Sequence, residues 1–305
     1  MRTPFVDGPV RVSVPATSAN LGPGYDALGL ALGRWDTVTA EVAGDGTRVE
    51  VSGEGEGSLP LDDTHLVVRA MRLGFEAMGV RPDGLSLRCE NTIPQARGMG
   101  SSSAAIVAGV LAARALVAGG TLLMDDDAVY ALAAELEGHP DNVAPALFGG
   151  FTIAYRDNGR FRVAGVAVDP RIEATLFVPP YSVETSAARA MLPGTVPHAD
   201  AARNAGRAAL LVAALSGQPE LLLDATEDRL HQGYREAAMP ASLALLRTLR
   251  ADRIPAVVSG AGPTVLAFVD GVDSDAVRAK APAGWQALVL PIDPEGARTQ
   301  LLGGE

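Results

Sequence analysis

The sequence contains very little cysteine and very little lysine. Its single cysteine, Cys89, excludes an intrachain disulfide and any zinc site built from several cysteines. Among 25 basic residues the only lysine is Lys280, which lies in RAKAPAG and not in a Gly-Lys-Ser/Thr loop. A P-loop, a protein-kinase site and Schiff-base catalysis are therefore disfavoured. If the protein handles nucleotides, backbone amides, hydroxyls and arginine must bind the phosphates.

The chain also lacks a long hydrophobic run and an excess of positive charge. Arg114 interrupts the longest apolar stretch, 104–118, and the first twelve residues contain no apolar core of signal-peptide length. The net charge of −11 is the wrong sign for non-specific binding to nucleic-acid phosphates. We therefore expect a cytoplasmic protein that binds neither membranes nor nucleic acid.

What the chain does contain is enough apolar sequence for a large core. A length of 305 residues with 48% apolar residues predicts two domains, and the mixture of periodicities predicts an α+β fold. No Pro/Ser-rich linker separates the halves, so the predicted domains, 1–165 and 166–305, meet at a soft boundary. Alternating apolar residues predict strands at 10–15, 36–43, 47–53, 84–90, 151–157, 160–169, 174–180, 254–260, 263–270 and 285–292. Helical spacing predicts helices at 62–79 with an Asp or Thr cap, and at 101–120, 125–137, 185–192, 198–216, 219–230, 241–252 and 274–281.

The densest signal for a binding site is IPQARGMGSSSAAIVAG, 93–109, in which a strand runs into a glycine-rich turn and a serine-capped helix. Gly98 and Gly100 let the backbone approach an anion, and the helix N-terminus directs free N–H groups and partial positive charge toward it. Three serine hydroxyls and the charge of Arg97 would add to such a site. The alternative is a plain strand-to-helix turn.

Three further segments concentrate polar or glycine residues. PATSANLGPGYDALGLAL, 15–32, follows the first strand, and VVSGAGPTVLAFVD, 257–270, places a glycine-rich bend between two apolar strands. The alternatives for these two are locally capped turns and a tight hairpin. ELEGHPDNVAPALFGG, 135–150, crowds acidic, histidine and amide side chains against an apolar segment, which favours a functional site over a solvated helix end.

In their order and in their amino-acid sequences, these four segments resemble motifs of the GHMP kinase superfamily, and within it the homoserine kinases. The resemblance extends over essentially the whole chain. The resemblance implies a two-domain GHMP kinase fold, with an N-terminal ribosomal-protein-S5-like ATP-binding domain and a C-terminal ferredoxin-like domain. It also implies an enzyme of threonine biosynthesis that uses ATP and Mg²⁺ to phosphorylate the hydroxyl of L-homoserine. A homodimer is the implied assembly.

The resemblance also implies a set of site residues. Asn142, Ser101 and Glu137 would be catalytic, and Mg²⁺ would bind Glu137, or else Glu135, together with the hydroxyl of Ser101 or Ser102. The residues implied for ATP are Pro94, Gln95, Ala96, Arg97, Gly98, Met99, Gly100, Ser101, Ser102, Ser103 and Ala104. Helix 62–73 would form one wall of the adenine pocket near His65, a position at which the family often has asparagine. The residues implied for homoserine are Asn20, Asp26, His139, Asn142, Thr185, Arg189, Arg235 and Gly260, above a floor formed by Gly260, Gly262 and Thr264.

The chemistry of an amino-acid substrate supports this assignment independently. Homoserine presents an ammonium, a carboxylate and a hydroxyl, and each group needs its own partner. Asp26 suits the ammonium, while Arg189 and Arg235 suit the carboxylate through forked hydrogen bonds. Mevalonate-type substrates lack the ammonium. The remaining alternatives are another small-molecule kinase of the superfamily and a catalytically silent relative that senses ATP or an amino acid.

Overall fold

The computed structural model describes residues 4–270 and 274–302. Its strands are β1 (Val10–Ala19), β2 (Leu28–Val42), β3 (Gly46–Gly53), β4 (Gly84–Asn91), β5 (Phe151–Asp157), β6 (Arg160–Val166), β7 (Ile172–Val178), β8 (Ala256–Val258), β9 (Val265–Asp270), β10 (Gln286–Leu290) and β11 (Arg298–Leu301). Its α-helices are α1 (Leu66–Ala77), α2 (Ser101–Leu116), α3 (Gly120–Leu123), α4 (Asp126–Glu137), α5 (Pro140–Phe148), α6 (Thr185–Ala190), α7 (His198–Gly217), α8 (Leu222–Ala225), α9 (Pro240–Ala251) and α10 (Ser274–Arg278). The predicted α+β class is confirmed.

The strands form two sheets. The larger has the order β11-β1-β2-β4-β3, and β5 extends it by pairing with β2 and then with β6. Its one parallel pair, β3 and β4, is joined through α1, as a parallel connection requires. The smaller sheet has the order β10-β7-β9-β8 and is antiparallel throughout. Its strands follow a βαββαβ sequence along the chain, which is the ferredoxin-like arrangement expected for the C-terminal half.

Helix α2 is the centre of the larger unit. Its sequence is apolar nearly all round, and most of its length is buried against α1, α4 and the strands β1 and β2. Gly109 allows α1 to approach closely, because a Cβ there would lie 2.5 Å from the carbonyl oxygen of Val67. This packing fixes the N-terminus of α2 relative to the sheet.

Several local predictions are wrong, for identifiable reasons. The predicted helix 219–230 is only a short 3₁₀ turn followed by α8, because Asp228 binds the backbone amides of Leu230, His231 and Gln232 in a competing turn. Helix α5 was not among the predicted helices, and it begins at Pro140, because proline is favourable in the first turn of a helix. Helix α1 begins at Leu66 after His65, which makes no side-chain cap bond.

The C-terminal strand β11 was not predicted. It pairs antiparallel with β1 at Val10 to Ser13. All four of its residues are exposed, so neither face of the strand needs apolar side chains, and the sequence lacks the apolar–polar alternation that identifies a half-buried strand. The chain thus returns to the first sheet after completing the second. The division into 1–165 and 166–305 stays a prediction. In the described ranges, no helix combines the length and apolar character needed to cross a bilayer.

Candidate active site

The glycine-rich turn has the backbone conformation expected of an anion-binding loop. Gly98 and Gly100 adopt left-handed φ values of 75° and 73°. A Cβ on Gly100 would overlap Thr17 Oγ1, and one on Gly98 would overlap the carbonyl oxygen of Ser259. Both positions therefore require glycine for conformation and for space.

Gly100, rather than a serine, is the N-cap of α2, which corrects the expected serine cap. The amides of Ser101, Ser102 and Ser103 occupy the first helical positions, where helix geometry provides no intrahelical acceptor. The helix dipole adds partial positive charge at the same point. The loop thus offers N–H groups and a favourable potential to a phosphate.

The hydroxyls of Ser102 and Ser103, which do not cap the helix, bind a carboxylate. Ser102 Oγ donates to Glu137 Oε2 and Ser103 Oγ donates to Glu137 Oε1, each at 2.8 Å. Glu137 ends α4 and lines the cavity beside the loop, whereas Glu135 is exposed and lies outside it. Of the two serines expected to share a metal with Glu137, the structure brings Ser102 into contact with it. Ser101 lines the same cavity without that bond.

Most of the predicted residues converge on one cavity of about 100 Å³. Those that line it are Asn20, Pro94, Ala96, Arg97, Gly98, Met99, Gly100, Ser101, Ser102, Glu137, His139, Asn142, Thr185, Arg189, Arg235 and Gly260. Gln95 and Ala104 line a second, adjoining cavity, and Ser103 is buried behind the loop. Asp26, Gly262 and Thr264 lie outside both linings. Segments far apart in sequence therefore form a single site.

Asp26 and Arg189, expected to bind opposite charges of the substrate, are paired with each other. Arg189 Nη1 donates to Asp26 Oδ2 at 2.9 Å and Nη2 donates to Oδ1 at 2.7 Å, a forked ion pair. Asp26 has a left-handed φ of 55°, and its amide donates to Asn20 Oδ1 at 2.9 Å. Both side chains are about one-third exposed, so the pair remains accessible from solvent.

Arg235, by contrast, is one of the largest fully buried side chains, with 2% of its surface exposed. Its Nη1 lies 2.9 Å from His231 Nδ1 and 3.3 Å from the carbonyl oxygen of Gly260, and its Nε donates to the carbonyl of Ala188 at 3.3 Å. Asn20 Nδ2 donates to the same Gly260 oxygen at 2.9 Å. The glycine-rich bend between β8 and β9 thus ties Arg235 to the first loop.

Asn142 is oriented by a residue that the sequence analysis did not single out. Thr17 Oγ1 donates to Asn142 Oδ1 at 2.8 Å, which leaves the amide Nδ2 available to the cavity. Thr17 is completely buried in β1, and its own amide donates to the carbonyl of Met99 in the phosphate loop. Because 125 residues separate Thr17 from Asn142, no local pattern could have revealed the pair.

Two titratable neighbours of Asn142 are strongly influenced by burial. Burial, reinforced by the charge of Asp26, raises the pKa of the Asp141 carboxyl to about 7. Burial, reinforced by the charge of Arg189, lowers the pKa of His139. Near neutral pH the cavity is therefore lined by a carboxyl that is about half protonated and by a neutral imidazole.

Arg97 does not direct its charge at the loop as expected. Its guanidinium donates to the carbonyl oxygens of Gln95, Pro179 and Pro180, which joins the loop to the segment after β7. Ser259, also missed from sequence, lies 2.6 Å from the Gly98 carbonyl through Oγ and 2.8 Å from Ser18 Oγ. These contacts brace the phosphate loop from both sides.

The adjoining cavity, of about 260 Å³, has mainly apolar walls from β2, α1 and α2. His65 is only 3% exposed there, and neither imidazole nitrogen has a hydrogen-bond partner. Burial lowers the pKa of His65, so its ring is neutral at pH 7. An unpartnered neutral imidazole facing an apolar cavity next to Ser101 and Ser102 suits a flat heterocycle that carries hydrogen-bonding atoms on its edge.

Asp36 lines the same cavity, and its ionisation should make the free energy of unfolding depend on pH. Its Oδ1 accepts from the amides of Thr92 at 2.6 Å and Ile93 at 2.9 Å, yet burial raises its pKa from 3.8 to about 6. Between these values the folded state holds more protons than the unfolded state, so this carboxyl makes unfolding easier as pH rises.

We therefore expect Asp36→Asn, which keeps an acceptor oxygen, to flatten this part of the pH dependence. Relative to the variant, the wild type should lose up to about 3 kcal/mol of unfolding free energy between pH 4 and pH 6. Urea unfolding at several pH values measures the difference. Parallel curves for the two proteins would show that Asp36 ionises normally.

Comparisons with known proteins agree with this geometry. The family model described as "GHMP kinases N terminal domain" matches residues 65–150. A homoserine kinase of Streptomyces avermitilis is 55% identical over 288 residues, covering 94% of each protein. One from Clavibacter michiganensis is 48% identical over 301 residues, covering 96% of this chain and 94% of the relative. The crystal structure of homoserine kinase from Cytophaga hutchinsonii matches with a TM-score of 0.84 at 25% identity, covering 98% of this chain and 100% of that one.

These matches extend across both sheets and include the phosphate loop, which lies inside the matched 65–150 segment. The two-domain GHMP kinase fold expected from the sequence is confirmed by the structural match over nearly the full length. The chain belongs to the homoserine kinases of the GHMP kinase superfamily.

Proposed function

We propose that this protein transfers the γ-phosphoryl group of ATP to the side-chain hydroxyl of L-homoserine, forming O-phospho-L-homoserine and ADP for threonine biosynthesis. The observation that carries the proposal is the convergence, on one cavity, of a helix-N-terminal phosphate loop, a carboxylate, and side chains suited to an amino acid. Membership of the homoserine kinases supports the same reaction.

The nucleotide would occupy both cavities. We place its phosphates on the amides of Ser101, Ser102 and Ser103, and its base in the apolar cavity beside His65, which Ser101 and Ser102 also line. The adenine edge would supply the partner that the His65 imidazole lacks. This arrangement needs no lysine.

Mg²⁺ fits the donor set at the loop. The Glu137 carboxylate and the Ser102 hydroxyl, already joined at 2.8 Å, are hard oxygen ligands. Mg²⁺ commonly keeps several waters and binds one or two carboxylates together with substrate phosphates, so this small donor set suffices. When bound, the ion would neutralise charge that develops on the phosphates.

The amino-acid end of homoserine matches the charged groups at the other end of the cavity. We place its ammonium on Asp26 and its carboxylate between Arg189 and Arg235. Because Asp26 and Arg189 already pair, a zwitterion can replace both halves of that ion pair at once. A ligand with one charge would leave the other half of the pair without a charged partner.

The chain's own residues favour transfer without a dedicated base. Thr17 fixes the Asn142 amide so that its Nδ2 donates toward the reacting hydroxyl oxygen, and an amide is not a useful proton acceptor. As the bond from that oxygen to the γ-phosphorus forms and the bond to the ADP oxygen breaks, the hydroxyl proton passes to the transferred phosphoryl group. A loose transition state makes little demand on nucleophile strength, so alignment supplies most of the acceleration.

We predict that Asn142→Ala lowers kcat by about 10- to 100-fold, because it removes a hydrogen bond that orients the hydroxyl. Asp141→Asn and His139→Asn should retain substantial activity. Steady-state kcat at saturating ATP and homoserine, measured from pH 5 to pH 9, separates these expectations.

The pH profile is the decisive part of this test, because the pKa of Asp141, about 7, would itself suit a general base. If Asp141 were the base, the wild-type profile would fall on the acidic side near pH 7. Asp141→Asn would then lose about four decades of kcat, and its own profile would lack this acidic limb. That result would contradict the base-free mechanism.

Two other candidate functions are distinguished by a substrate panel. A coupled ADP assay with homoserine, serine, threonine and mevalonate should give turnover chiefly with homoserine, and the product should show a phosphomonoester signal by ³¹P NMR. Turnover with mevalonate would favour another small-molecule kinase of the superfamily. ATP binding with flat turnover across the panel would favour a sensor.

We also propose that the protein is a homodimer in the cytoplasm. The family resemblance supports the dimer, and the single cysteine suits a reducing compartment. Light scattering of the purified protein tests the assembly directly, since a monomeric mass would contradict it.

A further inference from the structure

A buried histidine lies immediately behind the proposed substrate carboxylate site. His231 has no exposed surface, with Nε2 lying 2.8 Å from the carbonyl oxygen of Gly22 and Nδ1 lying 2.9 Å from Arg235 Nη1. A carbonyl can only accept a hydrogen bond and a guanidinium can only donate one. The partners therefore require a neutral ring that carries its proton on Nε2.

The surroundings of His231 maintain this state. Asp228 accepts hydrogen bonds from the amides of Leu230, His231 and Gln232 and thereby fixes the turn that carries the ring. The Tyr25 ring lies 5.2 Å from the imidazole, centroid to centroid. Burial lowers the pKa of His231 and Arg235 acts in the same direction, while Asp228, 3.7 Å from Nε2, and Asp26 oppose it.

His231 restricts what Arg235 can do. The guanidinium is held at Nη1 by His231 and Gly260 and at Nε by Ala188. None of these bonds uses Nη2, and Arg235 lines the cavity. Because the guanidinium is planar and rigid, fixing Nη1 and Nε also fixes the direction of Nη2.

We propose that His231 is a positioning residue for acceptor recognition: as an Nε2-protonated imidazole, it holds the Arg235 guanidinium in the orientation that binds the substrate carboxylate. The inference rests on the proposed function, in which Arg235 binds that carboxylate. It assigns to His231 an effect on acceptor affinity, and none on nucleotide affinity or on the chemical step.

Two substitutions test the two hydrogen bonds of the ring separately, because each keeps one bond and removes the other. His231→Asn places an amide oxygen near the Nδ1 position and can still accept from Arg235, while it loses the bond to Gly22. His231→Gln places an amide nitrogen near the Nε2 position and can still donate to Gly22, while it loses the acceptor for Arg235.

We expect His231→Gln to raise KM for homoserine by about 10- to 100-fold, with kcat and KM for ATP within about threefold of wild type, and His231→Asn to stay closer to wild type. The amino diol homoserinol lacks the carboxylate, so its KM should respond little to either substitution. Equal increases in KM for homoserine and homoserinol, or a larger effect of Asn than of Gln, would overturn the proposal.

A measurement on the unaltered protein keeps the proposal testable if a variant does not fold. Among the four imidazoles of the chain, that of His231 should remain neutral and Nε2-protonated throughout pH 6–8 in long-range ¹H–¹⁵N correlation spectra of histidine-labelled protein. An imidazolium or an Nδ1-protonated ring at His231 would contradict it. If the wild type fails to phosphorylate homoserine, the proposed function fails, whatever tautomer the spectra show.

Discussion

Replacing Arg235 by leucine should raise KM for homoserine by about 30- to several-thousand-fold, which corresponds to the 2–5 kcal/mol typical of truncating one partner of a buried charge pair. Arg235 is almost fully buried and held by three protein acceptors, so its truncation removes a guanidinium that is fixed in orientation at the cavity. KM for ATP should barely change, because the phosphate loop is built from other residues. Initial-rate kinetics with either substrate varied provide the measurement.

Arg189→Leu is the matched comparison. We expect a smaller increase in KM, because Arg189 is 37% exposed and its removal also frees Asp26 from the ion pair to bind the substrate ammonium. Both variants should have their main effect on homoserine. A wild-type KM in Arg235→Leu would show that the carboxylate binds elsewhere in the cavity.

Replacing Glu137 by glutamine should reduce kcat by at least about 100-fold, comparable with the loss of one electrostatic stabiliser at a reacting centre. The change removes the carboxylate charge but keeps one oxygen that can accept from Ser102 or Ser103, while the new amide nitrogen can donate to the other hydroxyl oxygen. The loss should therefore come from weaker Mg²⁺ binding rather than from a collapsed loop. We expect the Mg²⁺ concentration for half-maximal rate to rise in the variant.

Glu135→Gln provides the control for charge on the same helix. Glu135 lies two residues earlier on α4, is exposed, and is absent from the cavity lining, so this variant should behave as wild type. If Glu135→Gln loses activity and Glu137→Gln does not, the assignment of the metal ligand must be reversed.

The parts of the site that could be predicted from sequence are those encoded locally. The turn at 98–103 follows from two glycines and a run of serines before an apolar helix, and the left-handed φ values of Gly98 and Gly100 confirm the expected backbone. The charged residues 26, 189 and 235 entered through the family resemblance; the structure places Arg189 and Arg235 on the cavity and pairs Arg189 with Asp26, and their roles toward the substrate stay predictions.

The remaining features depend on which distant residues meet. Thr17 with Asn142 and Ser259 with Gly98 are contacts between separate loops, and one sequence carries no local sign of them. The pairing of Asp26 with Arg189 was missed for a related reason. Each residue was assigned to a charged group of the substrate, and residue types alone do not show that the two side chains also form an ion pair with each other. Strand β11 was missed because its exposed residues lack alternation.

The most direct test of the central claim compares three acceptors of the same chain length that carry different charged groups: L-homoserine, homoserinol with a hydroxymethyl group in place of the carboxylate, and 4-hydroxybutyrate without the ammonium. Rates of ADP release should depend jointly on Mg²⁺ and on the acceptor. With wild-type protein, kcat/KM should be highest for homoserine and lower by about two decades or more for each analogue, since homoserinol leaves the buried Arg235 guanidinium without a carboxylate and 4-hydroxybutyrate leaves Asp26 without an ammonium. Equal kcat/KM for all three acceptors, or ADP release that is independent of any of them, would contradict the assignment of this site to a zwitterionic amino acid.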